Sequence, residues 1–167
     1  MRLALVLGVL LARAAAAASI EAGDRLPALS VQDWDGKPVS LERYAGKPLV
    51  IDFWASWCGT CKAALPALDA VARRQREHGV VVIAINIDRN RQAAESWLDA
   101  NLRDRTVTLL HDAQGTALAR FGAEGMPAVY VVDRQGVVRF AEAGYAPERI
   151  EAVERAIENV VASKSPG

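Results

Sequence analysis

Runs of apolar residues divide the chain after residue 28 into candidate strands and helices. The segment LSVQDWDGKPVSL contains two short alternating runs joined by Asp35-Gly36, which predicts a β-hairpin. The runs PLVIDFWA and VVVIAINI are almost uninterrupted by polar residues, as in strands buried on both faces. TVTLLHD predicts a further strand, and PAVYVVD with VVRFAEA predicts a second hairpin that turns through residues 134–136.

Between these strands the spacing of apolar residues becomes helical. A helix is predicted from Gly59 to His78, where Gly79 ends it. RQAAESWLDANL predicts an amphipathic helix capped by Asp88 or Asn90, and GTALARFGA and APERIEAVERAIENVVASK predict two more helices. Strands that alternate with helices indicate an α/β fold, with a central mixed sheet flanked by helices.

The first 18 residues have the pattern of a cleavable secretory signal. Arg2 is followed by the apolar run Leu3 to Ala12 and then by small residues at Ala16 and Ala18. The run is too short to cross a hydrocarbon core, which needs about 20 residues. We therefore expect residues 1–18 to be removed on export and residues 19–167 to form one domain that is soluble after cleavage. An uncleaved amphipathic helix is the alternative, and the charge of Arg13 favours it.

Composition narrows the possible partners and directs attention to the cysteines. The 20 basic and 20 acidic residues balance, and no basic block is present, which argues against nucleic acid as a partner. Only two cysteines occur, Cys58 and Cys61, in the segment FWASWCGTCKAALP. A C-x-x-C motif fits either a redox couple or half of a metal site, and export favours the redox couple.

The position of the motif assigns different roles to the two sulfur atoms. Cys58 falls where a buried strand gives way to a helix, so its thiolate would be stabilised by unpaired N–H groups and the helix dipole. This predicts a lowered pKa and a nucleophilic Cys58. Cys61 lies one turn further into the helix and suits the role of the resolving thiol, which attacks Cys58 once that residue is bonded to a substrate sulfur.

Three other features could belong to the same site. Asp52 interrupts an apolar strand, where burial should raise its pKa and allow it to accept the proton of Cys61. Pro127 opens a strand after Gly125, which fits a cis Met126–Pro127 peptide whose backbone could bond an extended substrate. Trp57, beside the reactive thiol, would offer a flat apolar platform for that substrate.

The segments VIDFWASWCGTCKAALP and GMPAVYVVDRQG closely resemble the thioredoxin superfamily. The N-terminal hairpin, the signal and the extra central helix around Glu95 resemble its exported TlpA/ResA/DsbE branch, over residues 23–163. The resemblance implies a thioredoxin-like fold in which Cys58 attacks, Cys61 resolves and Pro127 is the cis-proline. It also implies that Trp57 is exposed and that Trp54 packs beneath the thiol.

From the resemblance we expect a periplasmic protein-disulfide reductase that uses no cofactor. Its partners would be proteins with disulfides or thiols, such as apocytochrome c or copper-site proteins, and a membrane electron donor of the DsbD/CcdA type. Two departures weaken a specific role in cytochrome c maturation. Ala64 stands where many members of this branch carry Glu, and Asp52 stands where they often carry Asn.

Other activities fit the sequence less well. A zinc site would need His78 and His111, both expected on the surface or in loops. His78 falls at the far end of the helix from Cys58, and His111 ends another strand with no partner at ligand spacing. A peroxiredoxin needs Thr or Ser at the position of Ala55. A copper(I) metallochaperone remains the alternative from another class, since thiolates bind Cu(I). A disulfide-forming oxidant remains the alternative for the direction of the reaction, because Gly59-Thr60 does not decide it.

Overall fold

The computed structural model describes residues 19–144 and 147–163. It contains seven strands: β1 Ser30–Asp33, β2 Pro38–Ser40, β3 Leu49–Trp54, β4 Val81–Asn86, β5 Thr108–His111, β6 Ala128–Val132 and β7 Val138–Ala143. Its four α-helices are α1 Gly59–Gln75, α2 Gln92–Asn101, α3 Thr116–Phe121 and α4 Ile150–Ala162. Short 3-10 turns occupy Leu41–Tyr44, Arg76–His78 and Pro147–Arg149. The described elements follow the predicted order.

All seven strands form one mixed sheet in the order β2-β1-β5-β4-β3-β6-β7. The central strands β3, β4 and β5 are parallel, whereas β1, β2, β6 and β7 join by antiparallel pairing. Trp54 therefore lies opposite Asn86, which in turn lies opposite His111. The carboxyl ends of three strands meet at one edge of the sheet, and the cysteine motif follows directly from this edge.

Alternation along β3 sends its side chains into two separate cores. Val50 and Trp54 belong to the core that α1 and α4 cover, and Ile51 and Phe53 belong to the core that contains α3. Asp52 is fully buried. By the two-residue period of a strand it shares the face of Val50 and Trp54, so it lies on the side of the sheet that carries α1.

Both predicted hairpins are confirmed, with Gly36 and Gly136 in the left-handed region at φ +85° and +77°. The long helix also ends as predicted. α1 passes into a 3-10 turn that closes at Gly79, whose φ of +74° removes the chain from the helix axis.

Two local predictions need correction or refinement. Asp88 does not cap α2, because its carboxylate bonds Ser56 and Asn86 instead, whereas the Asn90 side chain accepts the N–H of Gln92. His111 is not a surface or loop residue but a buried member of β5, where its ring nitrogen meets the carbonyl of Asp88. Asp88 and His111 both have polar partners from other segments at this edge of the sheet, and these partners cannot be read from the local sequence.

The predicted signal sequence, residues 1–18, lies outside the described residues. Over residues 19–144 and 147–163, no helix has the length and apolar character needed to cross a membrane.

Candidate active site

Cys58 occupies the N-cap of α1 and is disulfide-bonded to Cys61, with 5.3 Å between their Cα atoms. Its backbone is extended, and its Sγ accepts the N–H of Cys61 at 3.1 Å. The sulfur of Cys58 thus lies where unpaired N–H groups of the helix converge, which is the arrangement that stabilises a thiolate after reduction. Cys61 is fully buried, whereas Cys58 keeps 8% of its surface exposed.

The segment that leads into Cys58 is a tight turn held from the neighbouring strand. The N–H of Cys58 donates to the carbonyl of Ala55 at 3.1 Å. Within this turn, Ser56 donates its N–H and its hydroxyl to the two carboxylate oxygens of Asp88, at 2.8 and 3.0 Å. Asn86 donates its side-chain N–H to the same carboxylate at 2.8 Å. The sequence pattern predicts Asp88 only as a possible cap of α2. Its position directly after a buried strand is the signal that could have placed it at this site.

A groove of about 420 Å³ lies beside the sulfur of Cys58. Trp57 and Cys58 line one side, while Leu118, Glu124 and Met126 contribute to the rest. Trp57 is 68% exposed and is the one large apolar side chain among the described residues that stands out on the surface, as predicted. The groove is open to solvent and largely apolar.

The peptide between Met126 and Pro127 is cis, which agrees with the prediction. Pro127 is buried immediately before β6, and its carbonyl accepts the N–H of Gly144 at 2.7 Å. Met126 is partly buried and lines the groove beside Cys58. The fold therefore brings Trp57, Cys58 and Met126 to one surface.

Asp52 lies below this surface rather than on it. In the sheet it stands between Ala84 of β4 and Val129 of β6, and both neighbours belong to the core beneath α1. Trp54, two residues further along β3, is fully buried and packs against Trp97 of α2 with 5.7 Å between ring centroids. Trp54 shares its buried core with Cys58 and Cys61, which agrees with the predicted packing of this ring near the thiol.

Ala64 of α1 is buried at 1% exposure. Because its side chain is a methyl group, this position offers no carboxylate to the cysteines. Asp52 is thus an acidic group that the sheet places on the α1 side of the core. His78 lies in the turn after α1, at the far end from Cys58. In the part of the chain that the structure describes, no group of three or more His, Cys, Asp or Glu side chains is arranged to hold a metal ion.

The sequence profile of the Redoxin family matches residues 21–160, which is most of the chain. The chain belongs to the Redoxin family. It is 32% identical over 121 residues to the thiol:disulfide interchange protein DsbE of Pseudomonas aeruginosa, a match that covers 72% of this chain and 64% of that protein. It is 26% identical to the thiol-disulfide oxidoreductase ResA of Bacillus thuringiensis over 119 residues, or 71% of this chain and 68% of the relative.

Among solved structures, this Redoxin-family chain resembles a Chlorobium tepidum protein provisionally assigned as a DsbE thiol:disulfide interchange protein. The two share a TM-score of 0.79 and 29% identity over 86% of this chain and 100% of the other. The match spans less than two thirds of the length of the P. aeruginosa relative. The comparisons confirm the predicted superfamily, its DsbE/ResA branch and the thioredoxin-like fold.

Proposed function

We propose that this protein is a thiol–disulfide oxidoreductase that reduces disulfides of other proteins. The observation that carries the proposal is the Cys58–Cys61 pair at the start of α1, with Cys58 the more exposed of the two and beside an open apolar groove. The DsbE and ResA relatives, which are thiol-disulfide proteins by name, support the same activity.

The reaction begins with both cysteines reduced. The Cys58 thiolate attacks one sulfur of the substrate disulfide, so that a mixed disulfide forms and the second substrate sulfur leaves as a thiolate and takes up a proton. The N–H of Cys61, which points at the sulfur of Cys58, stabilises the attacking anion.

Resolution follows within the protein. Cys61 loses its proton and attacks the sulfur of Cys58, which releases the first substrate sulfur as a thiolate and leaves the Cys58–Cys61 disulfide. The substrate has gained two electrons and the protein has lost them. Asp52, buried on the α1 side of the sheet, is the proposed acceptor of the Cys61 proton, directly or through a water molecule.

The groove is the proposed binding site for an extended segment of the substrate. Trp57 would pack against apolar side chains of this segment, because its ring is exposed beside the sulfur of Cys58. The backbone of Met126, held by the peptide bond to Pro127, would bond the substrate main chain in the manner of an added strand.

The proposal extends to the export of the protein, its electron donor and its substrates. We infer that residues 1–18 are removed and that the protein works in the periplasm, where oxidants are abundant. A reductant there needs electrons from a membrane donor, and a donor of the DsbD/CcdA type suits a DsbE/ResA relative. Apocytochrome c and copper-site proteins are the proposed substrates. Mass spectrometry of the exported form should find a chain that begins near Ser19, and an intact Met1 would contradict cleavage.

The deciding experiment replaces Cys61 with Ser. Without the resolving thiol, Cys58 should accumulate as mixed disulfides with substrate proteins, whereas Cys58→Ser should trap none. Absence of any trapped disulfide, together with tight Cu(I) binding by the unmodified protein, would replace the oxidoreductase with a metallochaperone.

The direction of the reaction is tested by the reduction potential of the Cys58–Cys61 couple, followed through tryptophan fluorescence in thiol buffers. A value near that of thioredoxin, about −270 mV, is expected for a dedicated reductant. A value near about −120 mV would instead make the protein an oxidant of substrate thiols.

A further inference from the structure

We propose that Asp88 is a positioning residue for the attack by Cys58, and that it acts through Ser56. The inference rests on the thiol–disulfide exchange proposed above. Asp88 is only 4% exposed, although it follows β4 in a loop. Burial of a carboxylate is costly unless its oxygens are hydrogen-bonded, so the partners of Asp88 indicate what it is for.

The partners of Asp88 converge on the turn before Cys58. One carboxylate oxygen accepts both the N–H of Ser56 and the side-chain N–H of Asn86, each at 2.8 Å, and the other accepts the hydroxyl of Ser56 at 3.0 Å. Ser56 is thus held by its main chain and by its side chain at once. A single residue two positions before the nucleophile is fixed to the end of a neighbouring strand.

The geometry of the turn transmits this restraint to the sulfur atom. Ser56 is the second residue of the turn that the Cys58 N–H closes on the Ala55 carbonyl. Cys58 is the fourth residue of the turn and also the N-cap of α1, where its Sγ meets the N–H of Cys61. A shift of Ser56 would therefore move the sulfur away from the N–H group that stabilises its thiolate.

Asp88 is itself anchored to the rigid part of the fold. Its N–H donates to the side-chain oxygen of Asn86 at 3.1 Å, and its carbonyl accepts the ring N–H of His111 at 2.8 Å. Ile87, the residue before it, donates to the carbonyl of Trp54 at 3.0 Å. These bonds tie Asp88 to β3, β4 and β5 together, so the turn is aligned against the sheet rather than against a mobile loop.

Asp133 provides a matched comparison within the same chain. It is also 4% exposed, it accepts hydrogen bonds from the N–H groups of Gln135 and Val137, and it forms an ion pair with Arg139. It follows β6, whose last residue pairs with the first residue of β3, at the edge of the sheet opposite Cys58. Asp133 is thus a buried loop carboxylate with a purely structural role, and its substitution controls for the loss of such a group.

The test compares Asp88→Ala with Asp88→Asn. Asparagine can accept the two N–H bonds through its amide oxygen and donate from its nitrogen to the hydroxyl oxygen of Ser56, whereas alanine can do neither. Both variants lose the same negative charge, so their difference isolates the hydrogen bonds. The charged groups on the elements around Cys58 stay unchanged in both, namely Asp52 of β3, Glu124 of the groove, and Lys62, Asp69, Arg73 and Arg74 of α1.

Two rates are measured on the reduced proteins. Relative to Asp88→Asn, we expect Asp88→Ala to form the mixed disulfide with a peptide disulfide about 10- to 100-fold more slowly, because misplacing a reacting atom by about 1 Å can cost that much. The thiol pKa of Cys58, read from the pH dependence of its alkylation by iodoacetamide, should be higher in Asp88→Ala. Equal rates and equal pKa values in the two variants would overturn the proposal.

Further variants keep the test decisive if Asp88→Ala does not fold. Ser56→Ala removes one of the bonds and should shift both readouts in the same direction, and Ser56→Thr, which keeps the hydroxyl, should restore them. Asp133→Ala should lower stability without moving the thiol pKa. Alkylation of Cys58 needs no disulfide substrate, so the role of Asp88 can be tested even if the unmodified protein reduces no substrate disulfide. Failure to reduce a substrate would count against the proposed function and not against the positioning role of Asp88.

Discussion

At the scale of single residues, the two buried carboxylates near the motif have different environments. Asp52 lies within the sheet between Ala84 and Val129, on the face that α1 covers. Asp88 lies at the end of the sheet, where its oxygens accept bonds from Ser56 and Asn86. The first environment is that of the proposed proton acceptor, and the second suits a group that holds a turn in place.

Replacement of Asp52 by Asn tests proton transfer in the resolving step. The amide has nearly the same shape but cannot accept a proton at neutral pH, so release of substrate from the mixed disulfide should slow by about 10-fold or more. Formation of the mixed disulfide by Cys58 should change much less. Both steps can be followed by rapid-mixing fluorescence with a labelled peptide disulfide.

Asp133→Asn serves as the control for that experiment, since Asp133 is a buried carboxylate at the opposite edge of the sheet. It should leave both steps at the rates of the unmodified protein. Resolution at an unchanged rate in Asp52→Asn would remove Asp52 from the mechanism.

The two residues also differ in how far sequence could predict them. Asp52 interrupts a continuous apolar run, so its unusual burial is visible in the pattern itself. Asp88 follows a strand and precedes a helix, which is equally typical of an N-cap. Its partner Ser56 is 32 residues away in the chain and meets it only because β3 and β4 are parallel neighbours. That pairing depends on the assembled sheet and not on local spacing.

At the scale of elements, sequence predicted most where one physical preference decides the outcome. The apolar runs of β3 and β4 became buried central strands, and Gly79 ended the helical segment in the left-handed region. His111 was misplaced because a single polar residue at the end of a strand resembles the start of a loop. It is buried because β1 pairs with β5 on one side and Asp88 accepts its ring N–H on the other.

The closing helix offers a test of how these elements hold together. Val153, Ile157 and Val160 form the buried stripe of α4, at the spacing expected for one face of a helix. Ile157→Ala should lower the free energy of unfolding by about 2–5 kcal/mol, because it removes buried methyl and methylene groups and leaves a cavity beside the sheet. Urea denaturation with the disulfide intact measures the change.

The neighbouring Glu158→Ala is the control for that helix, since Glu158 is exposed. It should change stability by no more than about 0.5 kcal/mol. An effect of Ile157→Ala as small as that of Glu158→Ala would mean that α4 does not pack on the sheet in solution.

At the scale of the whole molecule, the sheet separates two tasks. One face carries α1, α4 and the buried Asp52, and the other holds a core of aromatic rings in which Tyr130 lies 4.7 Å from Phe121 and 6.2 Å from Phe53. The proposed chemistry lies on the first face and at the edge where β3 and β4 end. The aromatic face contributes stability. Loss of the phenolic proton of Tyr130 on this face should therefore affect folding without affecting thiol–disulfide exchange.

That separation predicts how stability responds to alkaline pH. Burial raises the pKa of Tyr130 above its ordinary value of 10.0. The native state then holds the phenolic proton more tightly than the unfolded chain, so this contribution is complete below pH 10 and is lost as pH rises through the native pKa. Tyr44 adds a contribution of the same sign, since burial raises its pKa and the nearby Arg43 guanidinium opposes only part of the effect.

Tyr130→Phe removes the proton while it keeps the ring in place. The free energy of unfolding of the unmodified protein, measured by urea titration from pH 8 to above pH 10, should fall more steeply with pH than that of the variant. The reduction potential should be equal in the two proteins at pH 7, because the substitution lies across the sheet from the cysteine pair. Parallel stability curves would show that the Tyr130 hydroxyl reaches water in the native state, and a shifted potential would show that the two faces are coupled.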